Sequence, residues 1–148
     1  MKKQVFAVID TNVIISALIT KKSDSYPLKV LAHIYSGTII PVFNSDILKE
    51  YKSVLSRDKF HLNPADIDEA LDAFMTLGLN TNPTPATGEI FPDPNDRVFY
   101  EVAMSKQDAL LVTGNTRHFP SKPFIVTPHE MAEMLETTAE IYHPSSPQ

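Results

Sequence analysis

The chain has 148 residues, of which 43% are hydrophobic and 21% are charged, and its formal net charge is -5. These values are close to the averages of soluble globular proteins, and the length suits one domain with a sizeable core. The absence of cysteine excludes a disulfide framework, a thiolate metal site and a cysteine nucleophile. Any metal site must therefore use oxygen or imidazole ligands.

No apolar stretch reaches the roughly 20 residues of a membrane span. The short apolar run after Met1-Lys2-Lys3 lacks the cleavage site of a signal peptide. We therefore expect a cytoplasmic protein. The negative net charge argues against a broad basic surface for nucleic acid, although an acidic active site would itself contribute to that charge.

The first apolar segment, Val5–Ile9, contains β-branched and aromatic residues without polar alternation, which predicts a strand buried on both faces of a parallel sheet. This strand ends at Asp10. Ligands of open α/β sheets bind beyond the carboxyl ends of the strands, so Asp10 lies where chemistry would take place. The alternative is structural, with Asp10 or Thr11 as the cap of a helix over residues 13–19.

The following segments alternate between helix-like and strand-like patterns. A helix is predicted over residues 27–36 and a second buried strand over residues 38–43. Pro41 removes one hydrogen bond from the sheet, which indicates an edge or strand-end position. Apolar residues at helical spacing then predict a helix that Ser45 caps and that ends near Arg57.

The next helix has clear signals at both ends. Asn63 as the cap and Pro64 at the first helical position predict its start, and Gly78 predicts its end. A connection rich in threonine and proline follows over residues 80–92. One short strand near residues 77–81 leads into this connection.

Two more apolar strands are predicted at residues 109–113 and 124–127, with a helix over residues 93–105 before the first of them. The segment 127–130, Thr-Pro-His-Glu, has the pattern of a capping box with proline at the first helical position. It begins a last helix that we expect to end near Glu136.

Strands that are apolar throughout and separated by helices predict a parallel sheet of four or five strands with helices on both faces. Residues 1–136 would form this single domain. Residues 137–148 are polar and rich in proline, and we expect them to be a disordered tail.

Polar residues at the carboxyl ends of the strands are the candidates for chemistry. Asp10 follows the first strand and Gly114-Asn115 follows a later one, so these positions face each other if the two strands are neighbours. Asp93 and Asp96 lie at the start of a helix. Their alternative role is structural, with Asp93 as the N-cap and Asp96 as the N3 residue of a capping box.

Glu50 lies inside the middle helix, four residues after Asp46, so the two acids share a helix face and repel slightly. The alternative is an ordinary solvated face, to which Lys49 and Lys52 also belong.

These residues, in this order, resemble the PIN domain family of metal-dependent ribonucleases. The resemblance extends over about residues 5–136 and rests on four segments: 10–13 (Asp-Thr-Asn-Val), 45–51 (Ser-Asp-Ile-Leu-Lys-Glu-Tyr), 93–97 (Asp-Pro-Asn-Asp-Arg) and 111–115 (Leu-Val-Thr-Gly-Asn). The chain is most similar to the branch grouped with VapC-type toxins of bacterial toxin–antitoxin pairs. The resemblance implies a PIN-like three-layer α/β/α fold, an acidic site for Mg²⁺ or Mn²⁺, and cleavage of RNA.

Carried over residue by residue, the resemblance implies that Asp10, Glu50 and Asp96 are the catalytic acids and that Asp10 and Asp96 bind the metal. Most members of the family have a further acid where this chain has Asn115, which is a neutral oxygen ligand. Asp93 is the other candidate for a fourth metal ligand.

Further residues would support this site. Asn12 and Thr113 are expected to orient the carboxylates by hydrogen bonding. Basic residues in or beside the predicted loops would hold the RNA backbone, and ordinary surface charge is the alternative for each of them. They are Lys21, Lys22, Arg97 and Arg117. His118 lies in the same loops, where we expect a structural role rather than a catalytic one.

The physical chemistry of such a site agrees with the resemblance. Three carboxylates brought together repel one another, and at least one takes up a proton unless a cation joins them. All-oxygen ligands select hard cations such as Mg²⁺ or Mn²⁺ rather than zinc. Such an ion can orient a phosphodiester and activate a water molecule for attack.

Two other classes of function stay open. An aspartate-dependent phosphatase would use Asp10 as its nucleophile, but dehalogenase-like phosphatases usually have a second Asp where this chain has Asn12. A catalytically weakened module that binds RNA or another protein would account for Asn115. We also expect a homo-oligomer and, if the toxin resemblance holds, an antitoxin protein as partner.

Overall fold

The computed structural model of the chain describes residues 4–85 and 88–141, which contain a five-stranded parallel sheet. The strands are β1 (Val5–Ile9), β2 (Ile39–Phe43), β3 (Leu79–Asn80), β4 (Leu110–Val112) and β5 (Ile125–Val126). Their order in the sheet is β3-β2-β1-β4-β5. The parallel sheet predicted from the sequence is therefore confirmed, and β1 lies at its centre.

Six helices connect or follow these strands in the same part of the chain. They are α1 (Thr11–Ile19), α2 (Tyr26–Tyr35), α3 (Ser45–Leu55), α4 (Pro64–Leu77), α5 (Arg97–Met104) and α6 (Pro128–Ile141). Helix α2 packs against α1 and α6, whereas α5 packs across β1, β2 and β4. The architecture is the predicted three-layer α/β/α arrangement.

The central strand is buried because its side chains are apolar throughout. Ala7 and Val8 are fully buried, and Ile9 is 1% exposed. Tyr51 of α3 packs edge-on against Phe74 of α4, with 5.4 Å between the ring centroids. Its hydroxyl donates a hydrogen bond to the carbonyl oxygen of Ile9, so α3 is attached to the carboxyl end of β1.

The position predicted for Pro41 is wrong, because β2 lies between β1 and β3. The carbonyl oxygen of Phe43 accepts a hydrogen bond from the backbone N–H of Thr81, on the β3 side. Alternate residues of a strand face the same neighbour, so the backbone of Pro41 also faces this side. The pairing of β3 begins only at Leu79, opposite Val42. The missing N–H of Pro41 therefore lies beyond the start of β3, and no sheet hydrogen bond is lost.

Gly78, between α4 and β3, occupies a place that no other residue fits. A Cβ atom there would overlap the carbonyl oxygens of Pro41 and Phe74 and would lie 2.9 Å from Cε1 of Phe43. Gly78 therefore has two roles. It ends α4, as the sequence predicts, and it allows the backbone of Pro41 to approach closely.

Three helices differ from the predictions in their cap or by more than one residue at their start. Helix α1 begins at Thr11 rather than at residue 13. Helix α3 is capped by Asn44 rather than by Ser45, because Oδ1 of Asn44 accepts a hydrogen bond of 2.9 Å from the N–H of Ile47. The predicted helix over residues 93–105 opens with a 3-10 turn, Pro94–Asp96, before α5.

The last helix begins as predicted and ends later. Thr127 and Glu130 form the reciprocal capping box, with hydrogen bonds of 2.8 and 3.0 Å between backbone N–H groups and side-chain oxygens. The helix continues to Ile141 rather than ending near Glu136, so the start of the predicted tail is helical. Residues 142–148, the rest of that tail, lie outside the described residues.

Candidate functional site

The candidate site lies where the strand order reverses between β1 and β4. Ile9 pairs with Val112 in the sheet, and the backbone N–H of Asp10 donates a hydrogen bond of 2.9 Å to the carbonyl oxygen of Val112. Asp10 and Thr113 therefore leave neighbouring strands at the same edge. This is the position at which open α/β sheets bind their ligands.

The carboxylate of Asp10 is held by side chains that follow these two strands. The residue is 6% exposed. Its Oδ2 accepts hydrogen bonds from the hydroxyl of Thr113, at 2.7 Å, and from Nδ2 of Asn12, at 3.4 Å. Thr113 in turn accepts a hydrogen bond from the backbone N–H of Asn115. The side chain of Asp10 makes no capping bond to α1. A role as helix cap therefore does not explain the position of its carboxylate.

Burial raises the pKa of the Asp10 carboxyl above its usual value, because the ionised form loses hydration. The hydrogen bond from Thr113 acts against this change, since it stabilises the ionised form. The charge of Asp93 raises the pKa slightly further. Asp10 is therefore a desolvated carboxyl that its neighbours orient.

Glu50 faces the same edge, whereas Asp46 does not share its environment. Oε2 of Glu50 lies 3.5 Å from the hydroxyl of Thr11, which donates to it. Burial and the charge of Asp10 raise the pKa of Glu50, and the charge of Arg57 lowers it. Asp46 is exposed. Glu50 therefore lies at the candidate site, whereas Asp46 lies on a solvated helix face.

Asp96 has the most unusual environment of the acids. Its side chain is 14% exposed, and its buried Oδ2 accepts no hydrogen bond within the described ranges. Nδ1 of His118 lies 3.5 Å from this oxygen. Burial, and then the charges of Asp10 and Asp93, raise the pKa of Asp96 to about 6. The charge of His118 acts in the opposite direction.

The two acids that open the α5 region have different roles. Asp93 is exposed and caps the 3-10 turn, with Oδ1 accepting a hydrogen bond of 3.0 Å from the N–H of Asn95. Asp96 makes no side-chain capping bond. The capping-box alternative therefore fits Asp93 and fails for Asp96, whose partly buried carboxyl interacts with Asp10 instead. Asp93 still acts on the site, because its charge raises the pKa of Asp10, Glu50 and Asp96.

The donor atoms of this site fit a hard divalent cation. Within residues 4–85 and 88–141, no three acidic or imidazole groups lie close enough together to enclose an ion. The carboxyl groups nevertheless raise one another's pKa, and one buried oxygen of Asp96 lacks a hydrogen bond. An open set of carboxylates that repel one another suits a divalent cation that keeps several water ligands.

The predicted RNA-binding residues differ in their contacts and in their exposure. The guanidinium of Arg97 donates to the carbonyl oxygen of Glu89 at 3.0 Å and lies 4.7 Å from the ring of Phe91. It thus connects α5 to the preceding loop. Lys21, Lys22 and Arg117 are exposed, as is the side chain of Asn115.

Sequence reasoning missed several residues that act on the acids. His118 was expected to be structural, yet its charge acts on both Asp10 and Asp96. Thr11 was considered only as a cap, although its hydroxyl contacts Glu50. Arg57 was used only as a helix end. Its position seven residues after Glu50, nearly two helical turns, was the signal that could have identified it.

Comparison with known proteins identifies one family for this chain. The family model for the PIN domain matches residues 7–117, which is most of the chain. No curated protein and no solved structure matched the chain. Across the described residues, no helix is long and apolar enough to cross a membrane. The chain therefore belongs to the PIN domain family, whose members are generally metal-dependent nucleases.

Proposed function

We propose that this protein is an endoribonuclease that hydrolyses RNA phosphodiester bonds with Mg²⁺ or Mn²⁺. The observation that carries the proposal is the set of three acids at the reversal of the strand order. Asp10 is buried, Glu50 and Asp96 are partly buried, and the charge of Asp10 raises the pKa of the other two. Carboxyl groups that raise one another's pKa cost the fold stability, and a bound cation would offset that cost. Membership of the PIN family supports the same reaction class.

The metal ligands are assigned from two carboxyl oxygens. Oδ2 of Asp10 is oriented by hydrogen bonds, and Oδ2 of Asp96 has no hydrogen-bond partner among the described residues. We assign Asp10 and Asp96 to hold the ion, with Asn115 or Asp93 as a further oxygen ligand. When bound, a divalent cation would polarise a phosphoryl oxygen and lower the pKa of a water molecule. Asn115 contributes a dipole rather than a full charge, so it would attract the cation less than an acid at this position.

The chain's own side chains would orient the reacting groups and accept the proton. Thr113 and Asn12 fix one oxygen of Asp10 and favour its ionised form. Glu50 is the base that we assign to take the proton from the attacking water, because its raised pKa makes it a stronger base than an exposed glutamate. Lys21, Lys22 and Arg117 would contact backbone phosphates, with Arg97 holding the adjoining loop.

We further infer that the protein is the toxin of a toxin–antitoxin pair, acting in the cytoplasm and held inactive by an antitoxin protein. The support is the likeness of its four motifs to the toxin branch of the family. A homo-oligomer also stays a prediction. A catalytically weakened RNA-binding module is the second candidate, and Asn115 is the observation that favours it. Membership of the PIN family disfavours the phosphatase alternative.

The pKa of Asp96 predicts a pH-dependent stability difference. The pKa of Asp96 is about 6 in the folded protein and 3.8 for an ordinary aspartate, so the folded protein binds this proton more strongly than the unfolded chain. Stability is therefore lost as the pH rises between these two values, and the loss stays complete above them. We expect Asp96→Asn to raise the free energy of unfolding at neutral pH by about 1 kcal/mol, after a discount for solvent screening.

Urea denaturation of the protein and of Asp96→Asn, with EDTA present, measures this difference. The advantage of the variant should grow from acidic pH up to about 6 and stay constant above it. A constant advantage at every pH would show that Asp96 does not titrate in this way.

Cleavage of single-stranded RNA should require Mg²⁺ or Mn²⁺ and should stop in excess EDTA. Asp10→Asn should abolish it while the fold survives. Glu50→Gln should lower the rate roughly a hundredfold or more, as expected for the loss of a general base. Asp46→Asn is the matched control, because it removes an exposed acid from the same helix and should leave the rate nearly unchanged. Activity that persists in EDTA, or equal losses in the Glu50 and Asp46 variants, would contradict the proposal.

Expression without a partner should slow the growth of a bacterial host, because unrestrained cleavage of RNA is harmful. Asp96→Asn should not slow growth when it accumulates to the same level, as judged by immunoblot. Normal growth of cells that contain soluble, active nuclease would argue against the toxin role and leave the nuclease assignment intact.

A further inference from the structure

A cavity of about 350 Å³ lies between the end of α3, the 3-10 turn Asp58–Phe60 and the start of α4. Its walls are of two kinds. Leu62 and Ile67 provide an apolar side, whereas Arg57, Asp58 and His61 provide a polar one. A cavity of this size can hold one nucleotide-sized group.

This cavity lies close to the candidate active site. Arg57 lies two residues beyond Leu55, the end of α3, and Glu50 lies within that helix. The charge of Arg57 reaches Glu50, whose pKa it lowers.

Arg57 is available to an anion from outside the chain. The residue is exposed, and none of the ion pairs in the described residues involves it. A guanidinium presents donors in a fixed plane that matches phosphate oxygens. An anionic ligand is therefore the partner that complements this part of the cavity.

His61 is held on the cavity wall by an unusual backbone conformation. It ends the 3-10 turn with a φ of 53°, in the left-handed region that few residues other than glycine adopt. Its exposed ring lies beside Leu62 along the wall of the cavity. A ring and an apolar side chain together form a surface on which an unpaired base can stack.

We propose that this cavity binds one nucleotide of the RNA strand beside the bond that is cleaved, with its phosphate on Arg57 and its base against His61 and Leu62. This inference rests on the proposed ribonuclease function. It adds a subsite that would hold single-stranded RNA, because a base inside a duplex could not enter the cavity.

Asp58, which lines the cavity, would make the subsite prefer some bases over others. Asp58 in its ionised form accepts hydrogen bonds and donates none. Cytosine presents an amino group that can donate to it, whereas uracil presents a carbonyl oxygen at the same place. We therefore expect oligocytidine to bind more tightly than oligouridine, and Asp58→Ala to remove this difference.

Fluorescence anisotropy with labelled single-stranded RNA tests the subsite in Asp10→Asn protein, which we expect to bind RNA without cutting it. Adding Arg57→Ala should weaken binding roughly tenfold and reduce the slope of log K against log salt by about 0.7, the value for one phosphate contact on a single strand. Adding His61→Asn, which tolerates the positive φ, should weaken binding several-fold without changing the slope. Lys106→Ala is the matched control, because Lys106 lies over Phe6 near the opposite end of β1.

Unchanged affinity and salt slope in the Arg57 variant would overturn the subsite, as would equal losses in the Arg57 and Lys106 variants. Equal binding of the two homopolymers would overturn the contact with Asp58. Cleavage by the otherwise unmutated protein, measured in parallel, separates the two levels of the proposal. If that protein cleaves RNA and Arg57→Ala does so with the same KM, only the subsite is wrong. If it neither cleaves nor binds RNA, the ribonuclease function and the subsite both fail.

Discussion

The burial of Asp10 at the carboxyl end of β1 is the constraint on which the site depends. Five apolar residues place β1 at the centre of the sheet, so the residue that follows it lies at the reversal of strand order and loses most of its hydration. The hydroxyl of Thr113 compensates part of this loss from the neighbouring strand. The same backbone that builds the core therefore holds a carboxyl group in a costly environment, which is typical of functional sites rather than of stabilising ones.

The other acids add to this cost instead of relieving it. Burial and the charge of Asp10 raise the pKa of both Glu50 and Asp96. The cationic groups nearby, Arg57 and His118, reduce the repulsion only in part. A divalent cation would relieve it further, and the proposed nuclease mechanism uses the same ion. Arg57 would then act twice, by its field on Glu50 and by its contact with the phosphate of a neighbouring nucleotide.

The elements and the main acid could be predicted from the sequence because their signals are local. The apolar run before Asp10 and the cap and glycine around α4 specify structure without reference to the rest of the chain. Asp93 and Asp96 could not be told apart, since both belong to one capping pattern and only tertiary packing buries Asp96. The prediction for Pro41 was wrong for a related reason. The rule that assigns proline to edge strands takes no account of where the neighbouring strand begins, which depends on tertiary structure. The cavity beside Arg57 could not be predicted, because it is closed by the 3-10 turn Asp58–Phe60, which the sequence did not indicate.

Thermal unfolding in a Mn²⁺ series, for the protein and for Asp96→Asn, tests the central claim most directly. Because a ligand that binds only the folded state stabilises it, the Tm of the protein should rise steadily with Mn²⁺. Asp96→Asn should begin with a higher Tm in EDTA and gain much less from the ion. If the two proteins show the same rise, or if Mn²⁺ leaves the Tm of the unmutated protein unchanged, the buried acids are not a metal site and the account is wrong.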